Sequence, residues 1–333
     1  MLSLHLTLSA LVVRRILGYD GPVQLAIRIK LAGIIASVVA GCCCAQAQAP
    51  GVPVCDHAHQ EAQYKTALLN TARELFAGGD ALKPAKARQQ LKRTSCKLAL
   101  PNAGTQRLPA REICIAARHS HLRVGWSYLC PKCGKWHLNL AGGYALTSSG
   151  AVATCYHVVE PDRDVRDGCL VAVDEEGTVF PVAEVLAANR ESDACIVRVA
   201  GDGFKPLPLS TNVYPGDTAY CYSDPAERQD YFSAGIVNRF YQLGASGSAD
   251  ARGSKAVAPT RINVSTDWAP GSSGSAVLDD CGNAIGHVAK ISTVADNATP
   301  NAQDAHADRT TAIVFHEAVS ARDVLQLTRP LKD

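Results

Sequence analysis

Gly143-Tyr144-Ala145-Leu146-Thr147-Ser148-Ser149-Gly150-Ala151-Val152-Ala153-Thr154-Cys155-Tyr156-His157-Val158-Val159 reads as strand, turn, strand and then a histidine. Apolar and β-branched residues fill both arms, and Thr-Ser-Ser-Gly punctuates them. The same grammar runs from His121 onward. Leu122–Leu129, Leu170–Val173, Thr178–Val185, Ala194–Val199, Ala219–Tyr222, Ile262–Thr266, Ser275–Leu278 and Ala284–Lys290 are short apolar segments parted by Gly, Asp, Asn and Ser. Many short strands separated by turns predict a sandwich or a barrel. The last amphipathic stretch, His316 to Leu327, is expected to be a closing helix.

Residues 56–100 read differently. Leu68, Leu69, Ala72, Leu75 and Phe76, with Tyr64 before them, fall at helical spacing on one face. Gly78-Gly79-Asp80 stops that helix. A more basic second helix is expected from Ala85 to Thr94, opened by Pro84, and a short third from Ala110 to Arg118. Cys55 and Cys96 bracket the first two and are candidates for a bridge.

Three strand edges carry chemistry. His157 ends the opening stretch, and an imidazole titrating near neutrality can take and return a proton. Glu191-Ser192-Asp193-Ala194-Cys195-Ile196 sets an acid directly before an apolar strand. A carboxylate entering the interior needs partners, and the second imidazole nitrogen is one such partner. Thr266-Asp267-Trp268-Ala269-Pro270-Gly271-Ser272-Ser273-Gly274-Ser275 sets a serine in a glycine-flanked turn ahead of a strand. Glycine lets such a turn bend sharply, and its N–H groups can converge on a developing oxyanion. Each feature alone has an ordinary structural reading; the order His, Asp, Ser in one β-rich chain does not.

With these residues in view, the chain resembles the trypsin-like serine peptidases, especially the bacterial Deg (high-temperature-requirement) branch. Gly142-Gly143-Tyr144-Ala145-Leu146 to His157-Val158-Val159 is similar to that branch's G-x-G-F-x-I…T-x-x-H-V-V. Ser192-Asp193-Ala194-Cys195-Ile196-Val197 is similar to S-D-x-A-x-L, and Pro270-Gly271-Ser272-Ser273-Gly274-Ser275 to P-G-N-S-G-G. The resemblance implies a mainly β fold of two six-stranded antiparallel barrels. It also implies an endopeptidase with His157, Asp193 and Ser273 as triad, and Gly271 and Ser273 as the oxyanion hole. The expected organisation is a signal over 1–47, a helical extension over 48–118 and a peptidase domain over 119–325. Barrel one would span about 119–205, barrel two about 206–315, and a C-terminal helix and tail 316–333. No PDZ-like segment is expected after residue 325. Ser272 stands where pancreatic enzymes carry an activating Asp. Asp267, six residues before Ser273, would sit at the base of the primary specificity pocket and favour Lys or Arg. Small or medium apolar residues are the competing preference, because Deg-branch enzymes carry a similar Asp and Trp268 can narrow the pocket.

The chain has 333 residues, 47% of them hydrophobic and 19% charged, with net charge +2. That supports packed domains and argues against nucleic acid as a partner. Arg28 and Lys30 precede an apolar run, Leu31 to Cys44, followed by Ala45-Gln46-Ala47-Gln48-Ala49. This reads as a secretory signal, predicting export to the periplasm or outside the cell. Val39-Ala40-Gly41-Cys42 also has lipoprotein character, so a membrane contact is expected only if Cys42 is acylated. Thirteen cysteines in an exported chain predict disulfides. Cys130-Pro131-Lys132-Cys133-Gly134-Lys135-Trp136-His137 has the look of a zinc-ribbon knuckle. His137 with one of His119, His121 or Cys155 would complete a ligand set. Lacking a second Cys-x-x-Cys, the pair is read as a local or longer-range disulfide ahead of zinc, and no cofactor or metal ligand is assigned. Beside the endopeptidase acting on polypeptides stand two other readings, a catalytically silent trypsin-fold binding protein and a zinc-dependent interaction module.

Overall fold

The computed structural model describes residues 61–163, 165–244, 258–295 and 311–328. The expected signal, Cys42, Cys55 and most of the two polar loops at 243–259 and 294–310 lie outside the described residues. Among the described residues no helix is long and apolar enough to cross a membrane.

The first sheet is built from Arg123–Leu129 (β1), Trp136–Ala141 (β2), Tyr144–Ala145 (β3), Ala151–Cys155 (β4), Asp167–Val173 (β5), Val179–Asn189 (β6) and Ala194–Val199 (β7). They pair in the order β2-β1-β5-β6-β7-β4-β3. The sheet counts seven strands where six are expected, and the register explains the difference. Val124 pairs with Ala141, and three residues earlier and three later His121 pairs with Tyr144. Leu122 N–H also donates to Gly143 O, 3.0 Å. β2 and β3 are thus one strand in one register, bent at Gly142-Gly143, and the bend joins the two edges of the sheet into a barrel. The bend exists because the second barrel docks there. Gly142 N–H donates to Ser273 O at 2.7 Å, and a Cβ on Gly142 would lie 2.0 Å from Ser275 Oγ.

The second barrel is closed. Thr218–Ser223 (β8), Tyr231–Gln242 (β9), Thr260–Val264 (β10), Ala276–Leu278 (β11), Ala284–Ala295 (β12) and Thr311–Ser320 (β13) run in the order β10-β13-β12-β11-β8-β9. The closing helix is shorter than expected. Residues 316–320 finish β13, pairing with β10 and β12, and only Ala321–Leu327 is helical. Ser320 makes the break by N-capping: its Oγ accepts from Arg322 N at 3.3 Å. Each barrel has its own apolar filling, Val124, Leu170, Val185 and Val197 in the first and Val237, Ile262, Val277 and Ile285 in the second. A third cluster, with Tyr144, Leu146, Ile196, Leu278 and Val324, lies where the two meet.

The helices of the extension are Glu61–Gly78 (α1), Pro84–Gln90 (α2) and Ala110–Ser120 (α3). α1 lays Leu68 and Ala72 on Leu138, Val171 and Val173 of the first barrel. Full burial of one such leucine is worth about 1.5–3 kcal/mol. Phe76 meets Trp136 edge-on with centroids 5.1 Å apart. The side chain of Tyr64 lies outside the described residues. Cys155, Cys169, Cys195 and Cys221 are buried free thiols, and the expected Cys55–Cys96 bridge involves a residue outside those described. Cys155, Cys195 and Cys221 are fully buried on barrel strands, where a thiol acts as a small apolar filler.

Candidate active site

His157 sits in the single helical turn Tyr156–Val159 that follows β4, and Asp193 in the turn before β7. β4 and β7 are paired, Cys155 against Ala194, so the two side chains emerge at one end of the same ladder. His157 Nδ1 lies 2.8 Å from Asp193 Oδ2 and 3.1 Å from Oδ1. His157 N–H donates to the same Oδ1 at 3.0 Å. A carboxylate only accepts, so Nδ1 carries a hydrogen and Nε2 is turned away from the carboxylate. Burial pushes the Asp193 carboxyl up, but the hydrogen bonds and charge of His157 outweigh it and leave it below its usual value.

Asp193 has φ +57°, a left-handed conformation that few residues besides Gly, Asn and Asp adopt readily. Its carbonyl accepts from Tyr156 N–H at 3.1 Å and its own N–H donates to Arg190 O at 3.2 Å. From the second barrel, His287 Nε2 donates to the same carbonyl at 3.4 Å, and Arg261 holds Ser192 O at 3.0 Å. His287 is fully buried, and desolvation pushes its pKa down to about 4, so it is a neutral donor. Sequence reading passed over His287 as part of an apolar strand, and a lone histidine after Gly286 offers no signal.

Ser273 is half-buried in the turn between β10 and β11. Ser272, Gly274 and Ser275 N–H donate to Ala269, Val288 and Ser272 carbonyls at 3.0, 2.8 and 3.0 Å. Among the described residues, Gly271 N–H and Ser273 N–H donate to no protein acceptor. The amides on either side of Ser272 are left free while those of Ser272, Gly274 and Ser275 are tied down, a pattern that suits an anion-binding turn. Gly271 adopts φ +104°, and a Cβ there would lie 2.8 Å from Asp224 O. The turn is held against barrel one through Gly142, and through Val288 O, which accepts from Gly274 N–H and from the Cys155 thiol at 3.0 Å. It therefore sits beside the end of β4, just ahead of the helical turn that carries His157. Ser272 is buried, its Oγ accepting from Ala269 N at 3.5 Å, so it is a spacer inside the turn.

Behind the turn lies a buried ionic cluster. Asp224 accepts from Arg123 Nε at 2.6 Å, His121 Nε2 at 3.1 Å and Asp230 N–H at 2.9 Å. Tyr222 donates to Asp230 at 2.6 Å. Burial raises the Asp224 carboxyl, but His121 and then Arg123 overcome it and hold it far below the ordinary carboxylate range. The cluster fixes the 224–230 loop, whose Ala226 N–H bonds Pro270 O at 2.7 Å. Asp224→Asn is expected to destabilise the fold by about 3–5 kcal/mol at pH 7, because it leaves the Arg123 charge buried and short of a partner. A carboxyl held low stabilises fully above its unfolded value and loses that contribution as pH falls through the folded one. The gap between variant and wild type in urea unfolding should therefore hold at pH 5 and narrow only below about pH 4. An equal gap at pH 3 and pH 7 would contradict this.

Asp267 is exposed. Its backbone pairs with Ser233 Oγ through O at 3.1 Å and N–H at 3.2 Å. Trp268 turns inward, buried, with Nε1 donating to Lys290 O at 3.4 Å and its ring edge-on to His316 at 4.9 Å. Lys290 does not reach Asp267; its Nζ lies 3.6 Å from the buried Glu317. On the other side of the turn a cavity of about 350 Å³ is lined by Gly271, Gln229, Leu138, Leu140 and Leu68. Lys65 of α1 and Glu227 also line it, 2.6 Å apart.

The site thus brings a His–Asp pair at the end of one β-barrel beside a serine turn from the other. Residues 142–286 match the trypsin-like peptidase domain family. Over that segment the chain is similar to this family. No curated protein matches it.

Proposed function

We propose that this chain is a serine endopeptidase of the Deg type, with His157, Asp193 and Ser273 as its triad. Ser273 Oγ attacks the scissile carbonyl while His157 Nε2 takes its proton. Asp193 holds the Nδ1–H tautomer and stabilises the imidazolium that forms. Gly271 and Ser273 N–H receive the oxyanion, and His157 then returns the proton to the leaving amine as the acyl-enzyme forms. Water, activated by the same imidazole, releases the acyl group. The observation that carries the reading is the pair of free N–H groups flanking Ser272, in a turn docked beside a tautomer-fixed histidine. The cavity beside Gly271 is suited to an apolar substrate side chain close to the scissile bond. A silent binding protein would have no need of this arrangement, and labelling of Ser273 by a fluorophosphonate probe separates the two.

For primary specificity, Trp268 is the residue that faces inward, and Asp267 points to solvent. The expected preference is for small or medium apolar residues such as Val, Ala or Leu before the cut. A peptide library read by mass spectrometry on wild type and Asp267→Ser should give the same profile. A wild-type preference for Lys or Arg that the variant loses would instead make Asp267 the pocket base.

A further inference from the structure

The hairpin joining β1 to β2 holds a group of side chains that the peptidase chemistry leaves unused. Cys130, Cys133 and His137 bring two Sγ atoms and an imidazole nitrogen within 4.8 Å of one another. Cys133 Sγ and His137 Nε2 are 3.1 Å apart. We propose that these three residues bind a zinc ion.

The backbone is folded for it. Cys130 N–H donates to Lys135 O, and Gly134 N–H to Cys130 O, both at 2.9 Å. Gly134 takes φ +66°, closing a tight Cys-Pro-x-Cys-Gly turn that directs both thiols to one side. His137 comes from the returning strand, directly opposite Tyr128 in the ladder. Its ring stacks on Tyr128 with centroids 5.6 Å apart and planes 24° apart, and Asn139 Nδ2 donates to the Tyr128 hydroxyl at 3.3 Å. Thus the imidazole is oriented by neighbours that are not ligands. Zinc bonds of about 2.3 Å to sulfur and about 2.0–2.1 Å to nitrogen put tetrahedral donors roughly 3.5–3.8 Å apart. The three atoms need only small shifts to reach that spacing.

The donor chemistry selects the ion. Two thiolates and one imidazole suit zinc and exclude magnesium and calcium, which take oxygen. Both thiols lose their protons on binding. Among the described residues no fourth protein donor joins the three, which leaves that position to water; the histidines and the cysteine expected to complete the set have other partners. His119 pairs with Glu175, His121 with Asp224, and the Cys155 thiol with Val288 O. The ion would staple the hairpin whose second strand, through Leu138 and Leu140, walls the cavity beside Gly271.

The test uses the full chain, purified under reducing conditions and supplied with zinc alone. Elemental analysis should find about one zinc per chain, in His157→Ala as in wild type, which separates this site from the Cys155, His157 and Asp193 group. Cys133→Ser and His137→Ala should lose most of it. Cobalt(II) in place of zinc should give wild type a near-ultraviolet thiolate-to-cobalt band that Cys133→Ser lacks, a readout independent of peptidase activity. Chelation should lower the wild-type Tm by several degrees and leave that of Cys133→Ser unchanged. Metal-free wild type without a cobalt band would overturn the proposal. So would zinc retained in full by Cys133→Ser, copper or iron in zinc's place, or a Cys130–Cys133 disulfide in the reduced preparation.

Discussion

Ser273→Ala is expected to lower kcat toward peptides by a factor of about 10⁵–10⁶, because the nucleophile and its base act as one unit. His157→Ala should cost about as much, and the double variant scarcely more. The fold should not notice. Ser273 is half-buried, and its hydroxyl has no hydrogen-bond partner among the described residues. Its backbone holds the turn to Gly142 through O, and alanine keeps that bond. The Tm should move by less than a degree or two, since removing an unbonded hydroxyl lies within the usual range for neutral substitutions. Covalent labelling by a fluorophosphonate should vanish in parallel with peptide cleavage. Cleavage persisting in a folded, unlabelled Ser273→Ala protein would transfer the chemistry to another residue.

The sequence carried the parts of this site that lie within one strand edge. His157, Asp193 and Ser273 each precede or follow an apolar run, and β4, β7 and β11 fell where alternation and turn residues put them. What was illegible depends on contacts between distant segments. β2 and β3 are one bent strand only because Ser273 and Ser275 press on Gly142, and nothing near Gly142 announces that pressure. β9 was missed because Tyr231–Gln242 buries few side chains, and Ser, Gly, Asn and Arg dilute its pattern. At the C-terminus the His316–Leu327 stretch satisfied a helical spacing. Pairing with β10 and β12 claimed its first five residues, and the Ser320 cap decided the boundary. The cluster of His121, Arg123, Tyr222, Asp224 and Asp230 joins two segments about a hundred residues apart. Local composition therefore holds no trace of it. Trp268 and Asp267 show the limit of spacing arguments. A count of residues before Ser273 selects a position, and only the strand's pairing with Ser233 decides which side chain turns inward.

Asp193→Asn isolates the orienting role from the fold. Asn is among the few residues at ease at φ +57°, so the turn before β7 should keep its shape. Its side-chain oxygen can still accept the His157 N–H that Oδ1 accepts now. The loss is at the other atom. Oδ2, which receives Nδ1–H at 2.8 Å, becomes an NH₂ that can only donate. The imidazole then presents its lone pair at Nδ1 and moves its hydrogen to Nε2, where it no longer accepts the serine proton. A drop in kcat of about 10⁴ is expected, with KM nearly unchanged. Asp193→Ala should combine a similar kinetic loss with lower stability, because alanine lacks the short polar side chain that eases the left-handed conformation and the His157 N–H loses its acceptor. Two measurements decide the matter: kcat and KM for both variants, and their urea midpoints. An Asn variant within tenfold of wild-type kcat would mean that Asp193 does not set the tautomer. An Ala variant as stable as Asn would mean that the left-handed turn is held by Tyr156, His287 and Arg261 without help from the carboxylate.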